Sequence, residues 1–309
     1  QESGVFYKSL VKCGDVVKEG DIIAEAVFDS GKKSYIHSSL PGTVTAIEPV
    51  YAPNGMQEFA IKIKFGGAFS YLGKKQQERD VSSFSQNEIS SLLVQKGVLN
   101  TFKTSIPENL GIQIETMLAS KRKPENLIVR LFDEDPYRIT DSLLSKFNFD
   151  EIAKGARILA KAINAKGIVF AIDQKFENKK IFEKPEYKDI RALEMNIRRY
   201  PCGTPREIVS AFNRGSLKKI CTFCLSKADL FTDSSTIYDV YKAACLSIPS
   251  IDKYIHFSGN CLNVSCFLNI RLGTPLRDVV TQLGGFIKEP AHIIINGKLC
   301  GISLQSLDI

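Results

Sequence analysis

Asn126-Leu127-Ile128-Val129-Arg130-Leu131 and Gly167-Ile168-Val169-Phe170-Ala171-Ile172 are two apolar runs of strand length, and between them, from Phe149 to Ala165, the hydrophobic period changes. There Ile152, Ala156, Leu159, Ala160 and Ile163 recur near one face of a helix. Strand, helix, strand at this spacing predicts a βαβ unit with a parallel sheet, because parallel neighbours need a crossover long enough to hold a helix. Upstream, Ser85 precedes a helical pattern over Asn87-Glu88-Ile89-Ser90-Ser91-Leu92-Leu93-Val94-Gln95-Lys96, with Gly97 placed as a C-cap. Residues 68–85 are polar and read as a linker into this domain.

The two ends of the chain read differently. Residues 5–66 are short β-branched runs with turns at Gly14-Asp15 and Glu19-Gly20-Asp21, a strand-and-turn pattern similar to biotinyl and lipoyl barrel-sandwich modules. On that likeness Lys32 or Lys33, in the hairpin Asp29-Ser30-Gly31-Lys32-Lys33, is a candidate swinging arm. Two adjacent lysines in a loop are ordinarily solvated, and that plainer reading is preferred. From 246 onward, strands around Ile255 and Val264 to Ile270 surround a short helix that starts after Gly273-Thr274-Pro275 and ends at Gly284-Gly285, a small β-grasp pattern.

At 309 residues and 44% hydrophobic, the chain is long enough for two or three domains with real cores. No run reaches the roughly 18 apolar residues that span a bilayer, so membrane association is expected through partners. The formal charge of +7 suits an anionic lipid surface, an acidic subunit or a nucleic acid, but the basic residues look dispersed; Lys121-Arg122-Lys123 is the tightest group and reads as a solvated loop rather than a nucleic-acid site. The eight cysteines form no disulfide framework, and Cys221-Thr222-Phe223-Cys224 lacks a second pair or a nearby histidine to complete a metal site. His37, His256 and His292 sit in strand-like surroundings without a nucleophile motif, so no catalytic residue is assigned. The chain opens at Gln1 without a signal-like segment, as a fragment would.

Several segments carry a family resemblance. Tyr200-Pro201-Cys202-Gly203-Thr204-Pro205-Arg206-Glu207-Ile208-Val209 resembles a YPxGxxxxLI motif, and Thr236 to Ala243 resembles a GTAxAIYRA helix. Asn269-Ile270-Arg271-Leu272-Gly273-Thr274-Pro275-Leu276-Arg277 is similar to VRLGTPxR, and Asn296 to Gly301, continuing to Ser306-Leu307-Asp308, is similar to GGPMxGxxLxSLD. In this order and spacing they resemble the C subunit of the Rnf electron-transport complex, and its relative, the A subunit of the sodium-translocating NADH:quinone reductase. The resemblance implies an α/β multidomain fold: a barrel-sandwich hybrid over 1–67, a linker over 68–85, a Rossmann-like α/β domain similar to the complex I flavoprotein subunit over 86–245, and a β-grasp, SLBB-like module over 246–309. It implies a peripheral subunit on the cytoplasmic side of the inner membrane, bound to integral-membrane subunits of an ion-translocating NADH oxidoreductase, with quinone or nucleotide as further partners and no nucleic acid. FMN and NADH are the implied cofactors. The family's iron–sulfur segment has no counterpart within these residues, and no metal site is expected.

The altered loop tempers the cofactor expectation. The family's GxGGAxFP loop uses glycines so that backbone N–H groups approach the flavin. Aligning Ile106-Pro107 with its Phe-Pro puts Asn100, Phe102, Lys103 and Ser105 at or beside the glycine positions, where their side chains would crowd the cofactor. Lys103 remains a point charge for a phosphate or quinone head group, with a solvated or ion-paired lysine the plainer reading. The family's acidic NGAECEPY segment corresponds to Leu131-Phe132-Asp133-Glu134-Asp135-Pro136-Tyr137, so Asp133, Glu134 and Asp135 are either turn residues paired with a basic group such as Lys103, or weak nucleotide ligands. The favoured expectation is a subunit with a degenerate flavin site. The alternatives are an active FMN- and NADH-binding module and a lipoyl-type carrier.

Overall fold

The computed structural model describes residues 5–52, 57–103, 107–177, 179–198, 200–304 and 306–307. The chain forms two compact units, residues 77–247 and a discontinuous one made of residues 1–76 with 248–309.

The central unit holds a four-stranded sheet in the order Ile190–Met195, Gly167–Asp173, Asn126–Arg130, Leu230–Asp233, with every neighbouring pair parallel. All five residues of Asn126–Arg130 are buried, as expected of a strand covered on both faces. The crossover helix Phe149–Ala162 buries Ile152, Ala153, Ala156 and Leu159. It runs close beside the helix Ser234–Cys245: a Cβ on Gly155 would lie 2.4 Å from the Ile237 carbonyl oxygen, so glycine there sets the approach of the two backbones. The helix stops short of the expected Ala165, because Asn164 turns left-handed at φ 51° and ends the repeat. The helix Gln86–Gln95 begins in a capping box between Ser85 and Glu88, and Gly97 follows it at φ 66°. One face of the sheet packs Ile128, Phe132, Leu193 and Phe231 against Ile208 and Phe212. Residues 66–85 contain no helix or strand, yet the latter part is tied down: Glu78 pairs with Lys154 at 2.8 Å and accepts from Tyr241 Oη at 2.6 Å, and Arg79 donates to Ala243 O at 3.1 Å.

In the discontinuous unit, two three-stranded antiparallel sheets face a small core of Val17, Ile23 and Val44. One contains Val5–Ser9, Ile22–Phe28 and Lys33–His37; the other Val16–Val17, Gly42–Tyr51 and Gln57–Phe65. The C-terminal part adds the hairpin Asp252–Phe257 with Cys266–Arg271, the helix Leu276–Gln282 preceded by Pro275, and the hairpin Ile293–Ile295 with Ile302–Leu304. Gly284 and Gly285 close that helix at φ 88° and 75°. Front and back are joined at Glu19, whose buried carboxylate accepts from Ser70 N and Tyr71 N, both at 2.6 Å, and pairs with Arg271. Arg271 also reaches Asp252 at 3.2 Å.

Candidate functional site

Parallel sheets place ligands beyond the carboxyl ends of their strands, where helix N-termini and loops converge. Here that edge is formed by the loops after Arg130, Asp173, Met195 and Asp233.

Arg130, the last residue of its strand, is fully buried. Its guanidinium lies 4.3 Å from the Phe102 ring centroid and donates to Phe102 O at 3.2 Å and Gly203 O at 3.3 Å, with Glu134 at 3.5 Å. Asn100 is buried beside it: its amide donates to Gln113 Oε1 at 2.8 Å and Phe231 O at 2.9 Å, while its oxygen accepts from Phe102 N at 3.1 Å. Asn100 and Phe102 therefore turn into the protein, whereas the sequence reading had their side chains crowding a cofactor. The physical reason is that the Asn100 amide completes backbone hydrogen bonds and the Phe102 ring covers a buried cation. Lys103 is exposed, and Ser105 lies outside the described residues.

The acidic run serves the local backbone. Asp133 is buried and accepts from Asp141 N, Ser142 N and Ser142 Oγ at 3.1–3.2 Å, which caps the helix Thr140–Phe147, and it sits 3.4 Å from Arg138. Asp135 accepts from Tyr137 N at 2.8 Å and shapes the turn. The basic groups that Asp133 and Glu134 meet are Arg138 and Arg130; the expected pairing partner, Lys103, is not the one used. Beneath them Asp141 accepts from Ser235 N at 3.0 Å and Ser235 Oγ at 2.9 Å, and pairs with Arg138 at 3.3 Å. Burial, then the neighbouring Asp233 and Asp133, push its carboxyl up to about 7 against the pull of Arg138 and Arg130. Burial works against the Arg138 charge, but the surrounding carboxylates, Asp141 first, prevail and raise its pKa. Asp233 caps the helix Ser234–Cys245 through Thr236 N at 2.8 Å and accepts from Thr101 Oγ1 at 2.9 Å.

Beside this cluster is a cleft of about 470 Å³, lined by Pro136, Asp173, Gln174, Lys175, Asn196 and Arg198. Asp173 accepts from Lys175 N at 3.1 Å and Asn196 from Arg198 N at 3.2 Å, so both loops are preset by their first polar side chain. Two cations, a carboxylate and two amides line it. Among the described residues no group of His, Cys, Asp and Glu is arranged to hold a metal, and Cys221 and Cys224 are free thiols.

The residues present do not fit a flavin held as the resemblance implies. In the described part of the loop the only glycine is Gly97, engaged in the helix C-cap. Gly203, at φ 93°, faces this chain's own side chains: an added Cβ would lie 2.8 Å from both Arg130 Cδ and Phe132 Cε2. Arg130, Asp141, Asp173, Lys175, Asn196 and Arg198 were missed as site residues. Their signal was position: Arg130 and Asp173 end strands, Lys175 follows Asp173, Asn196 and Arg198 follow the strand Ile190–Met195, and Asp141 stands in the first turn of the helix Thr140–Phe147.

Comparison with known proteins accords with this architecture. Residues 1–67 match the family model described as the RnfC barrel sandwich hybrid domain. The C subunit of the ion-translocating oxidoreductase complex of Haemophilus influenzae (strain 86-028NP) is 24% identical over 320 residues, covering 100% of this chain and 46% of its own length. From end to end the chain is similar to RnfC proteins. Another RnfC relative, the protein of the same description from Rhodobacter capsulatus, is 23% identical over 314 residues, covering 99% of this chain and 58% of its own. The C subunit of the Na(+)-translocating ferredoxin:NAD(+) oxidoreductase complex of Acetobacterium woodii is 20% identical over 303 residues, covering 97% of this chain. The chain spans about half the length of the first of these RnfC proteins. Among solved structures, an NAD+-reducing [NiFe]-hydrogenase in the H2-reduced state superposes with a TM-score of 0.52 at 11% identity, over 88% of this chain and 53% of that one, a likeness of fold alone.

Proposed function

We propose that this chain is a peripheral subunit of a membrane-bound, ion-translocating electron-transfer complex, on the cytoplasmic side, in which the α/β unit scaffolds docking and its flavin site is closed. The observation that carries the assembly role is similarity along the whole chain to C subunits of ion-translocating oxidoreductase complexes. The absence of any helix long and apolar enough to cross a membrane, among the described residues, accords with binding through membrane subunits. The closed site rests on the Phe102–Arg130 stack and on Gly203 facing it. The finer divisions, a Rossmann-like domain over 86–245 and an SLBB-like β-grasp module over 246–309, belong to the same reading.

A second reading, weak admission of a nucleotide or quinone head group, is favoured by the cleft carrying Lys175 and Arg198. The carrier alternative is disfavoured at Lys33, which is 3.0 Å from Glu25 and so held on the sheet. The test has two arms. Titration with FMN and NADH, followed by absorbance and calorimetry, should show no tight flavin binding, and a yellow protein retaining FMN would overturn the closed site. Affinity purification from membranes containing the cognate integral-membrane subunits should recover those subunits; their absence would overturn the assembly role.

A further inference from the structure

The basic residues look scattered along the sequence, but the fold gathers them at the edge of the parallel sheet opposite the cleft. Lys121-Arg122-Lys123 lies just before the strand Asn126–Arg130, and Lys227 just before Leu230–Asp233. Lys218 and Lys219 stand on the short helix Leu217–Ile220. These segments meet: Glu125 N donates to Asp229 Oδ1 at 3.0 Å, and Asn126 Nδ2 to Cys224 O at 2.9 Å. Phe223 holds the segment down, stacking on Phe212 at 6.0 Å and filling the space above Gly167, the first residue of the strand Gly167–Asp173.

All six cations are exposed, and none forms an ion pair among the described residues, whereas Lys33, Lys62, Lys146 and Lys179 elsewhere each have a carboxylate partner. Two acidic residues at this edge are already engaged. Glu125 pairs with Lys166 at 3.0 Å, and buried Asp229 takes backbone N–H groups of Ser226, Glu125 and Asn126. Beside Lys218 and Lys219, Ile220 is 72% exposed.

We infer that the N-terminal edge of the parallel sheet is a docking face for an anionic phospholipid bilayer. Five of its six cations are lysines, hydrated point charges on flexible stems that suit a fluid array of headgroups; phosphate recognition in nucleic acids favours arginine forks and stacking aromatics. An apolar tip among lysines matches the boundary between headgroups and acyl chains, which an RNA backbone does not offer. The cleft on the opposite edge stays open when this face is against a membrane. The inference does not depend on the assembly proposed above, since it concerns lipid alone.

Co-sedimentation of the full chain with phosphatidylcholine vesicles, and with equimolar phosphatidylcholine and phosphatidylglycerol vesicles, tests it. Binding should require phosphatidylglycerol and weaken as salt rises. The variant carrying Lys121→Gln, Lys123→Gln, Lys218→Gln and Lys219→Gln should bind at least about 100-fold more weakly, since each basic residue near such a surface contributes on the order of 1 kcal/mol. Ile220→Ser should weaken binding about fivefold by removing the apolar tip. A charge-matched control with Lys33, Lys62, Lys146 and Lys179 changed to Gln should bind like wild type. Circular dichroism of each variant verifies folding. Equal loss in the control, retained binding in the first variant, or wild-type binding to transfer RNA without binding to vesicles would each overturn the inference.

Discussion

Asp141 has no exposed atom and faces Asp133, Asp233, Arg138 and Arg130, so its proton is linked to folding. The folded state raises its carboxyl to about 7, whereas in the unfolded chain it titrates near the usual value of about 3.9. A raised pKa means that the folded state binds the proton more tightly. The stability this group contributes is therefore complete below about pH 4 and is lost as pH rises through about 7. Urea midpoints measured across that window should fall with pH more steeply in wild type than in Asp141→Asn, which keeps an acceptor for Ser235 but cannot ionise. Identical pH slopes in the two proteins would show that Asp141 does not titrate there. Arg130 and Phe102 illustrate the same scale differently: one aromatic face and two carbonyls accommodate a buried guanidinium at the carboxyl edge of the sheet.

At the scale of elements, Asp229 ties together the starts of two neighbouring strands. Its carboxylate accepts from Ser226 N at 2.8 Å, Glu125 N at 3.0 Å, Asn126 N at 3.1 Å and Asn126 Nδ2 at 3.2 Å. Asp229→Ala leaves four donors, two of them buried, without their acceptor and should cost about 3 kcal/mol, read from chemical denaturation. A loss under about 1 kcal/mol would mean that water replaces the carboxylate. The elements themselves were largely legible. The strands 126–130 and 167–173, the crossover helix and the helix 86–95 all follow from local periodicity and caps. The end of the crossover helix was misjudged because Asn164 leaves the helical region while the apolar pattern continues through Ile163. The acidic run after Arg130 was recognised as significant, but its partners were not, because Arg138 and the start of the helix at Thr140 act on it through the turn that Asp135 shapes.

At the scale of the whole molecule, the two units differ in how the chain assembles them. Residues 77–247 are continuous, and the cluster around Ile128, Phe132 and Phe212 lies entirely within them. A fragment of residues 77–247 should therefore melt in one cooperative transition with helical and strand circular dichroism; a fragment lacking any cooperative transition would refute its independence. The other unit needs both chain ends, since Glu19 finds Arg271 only after the intervening domain has been made. Local order along the chain was enough to determine the strands, turns, helices and parallel connection, because each depends on residues a few positions apart. The tertiary structure alone decided that Asn100 and Phe102 face inward, that three aspartates gather beside Arg138, and that cations some hundred residues apart share one unneutralised edge. Burial, pairing and field depend on what stands across the fold, and that distance is not written in sequence spacing.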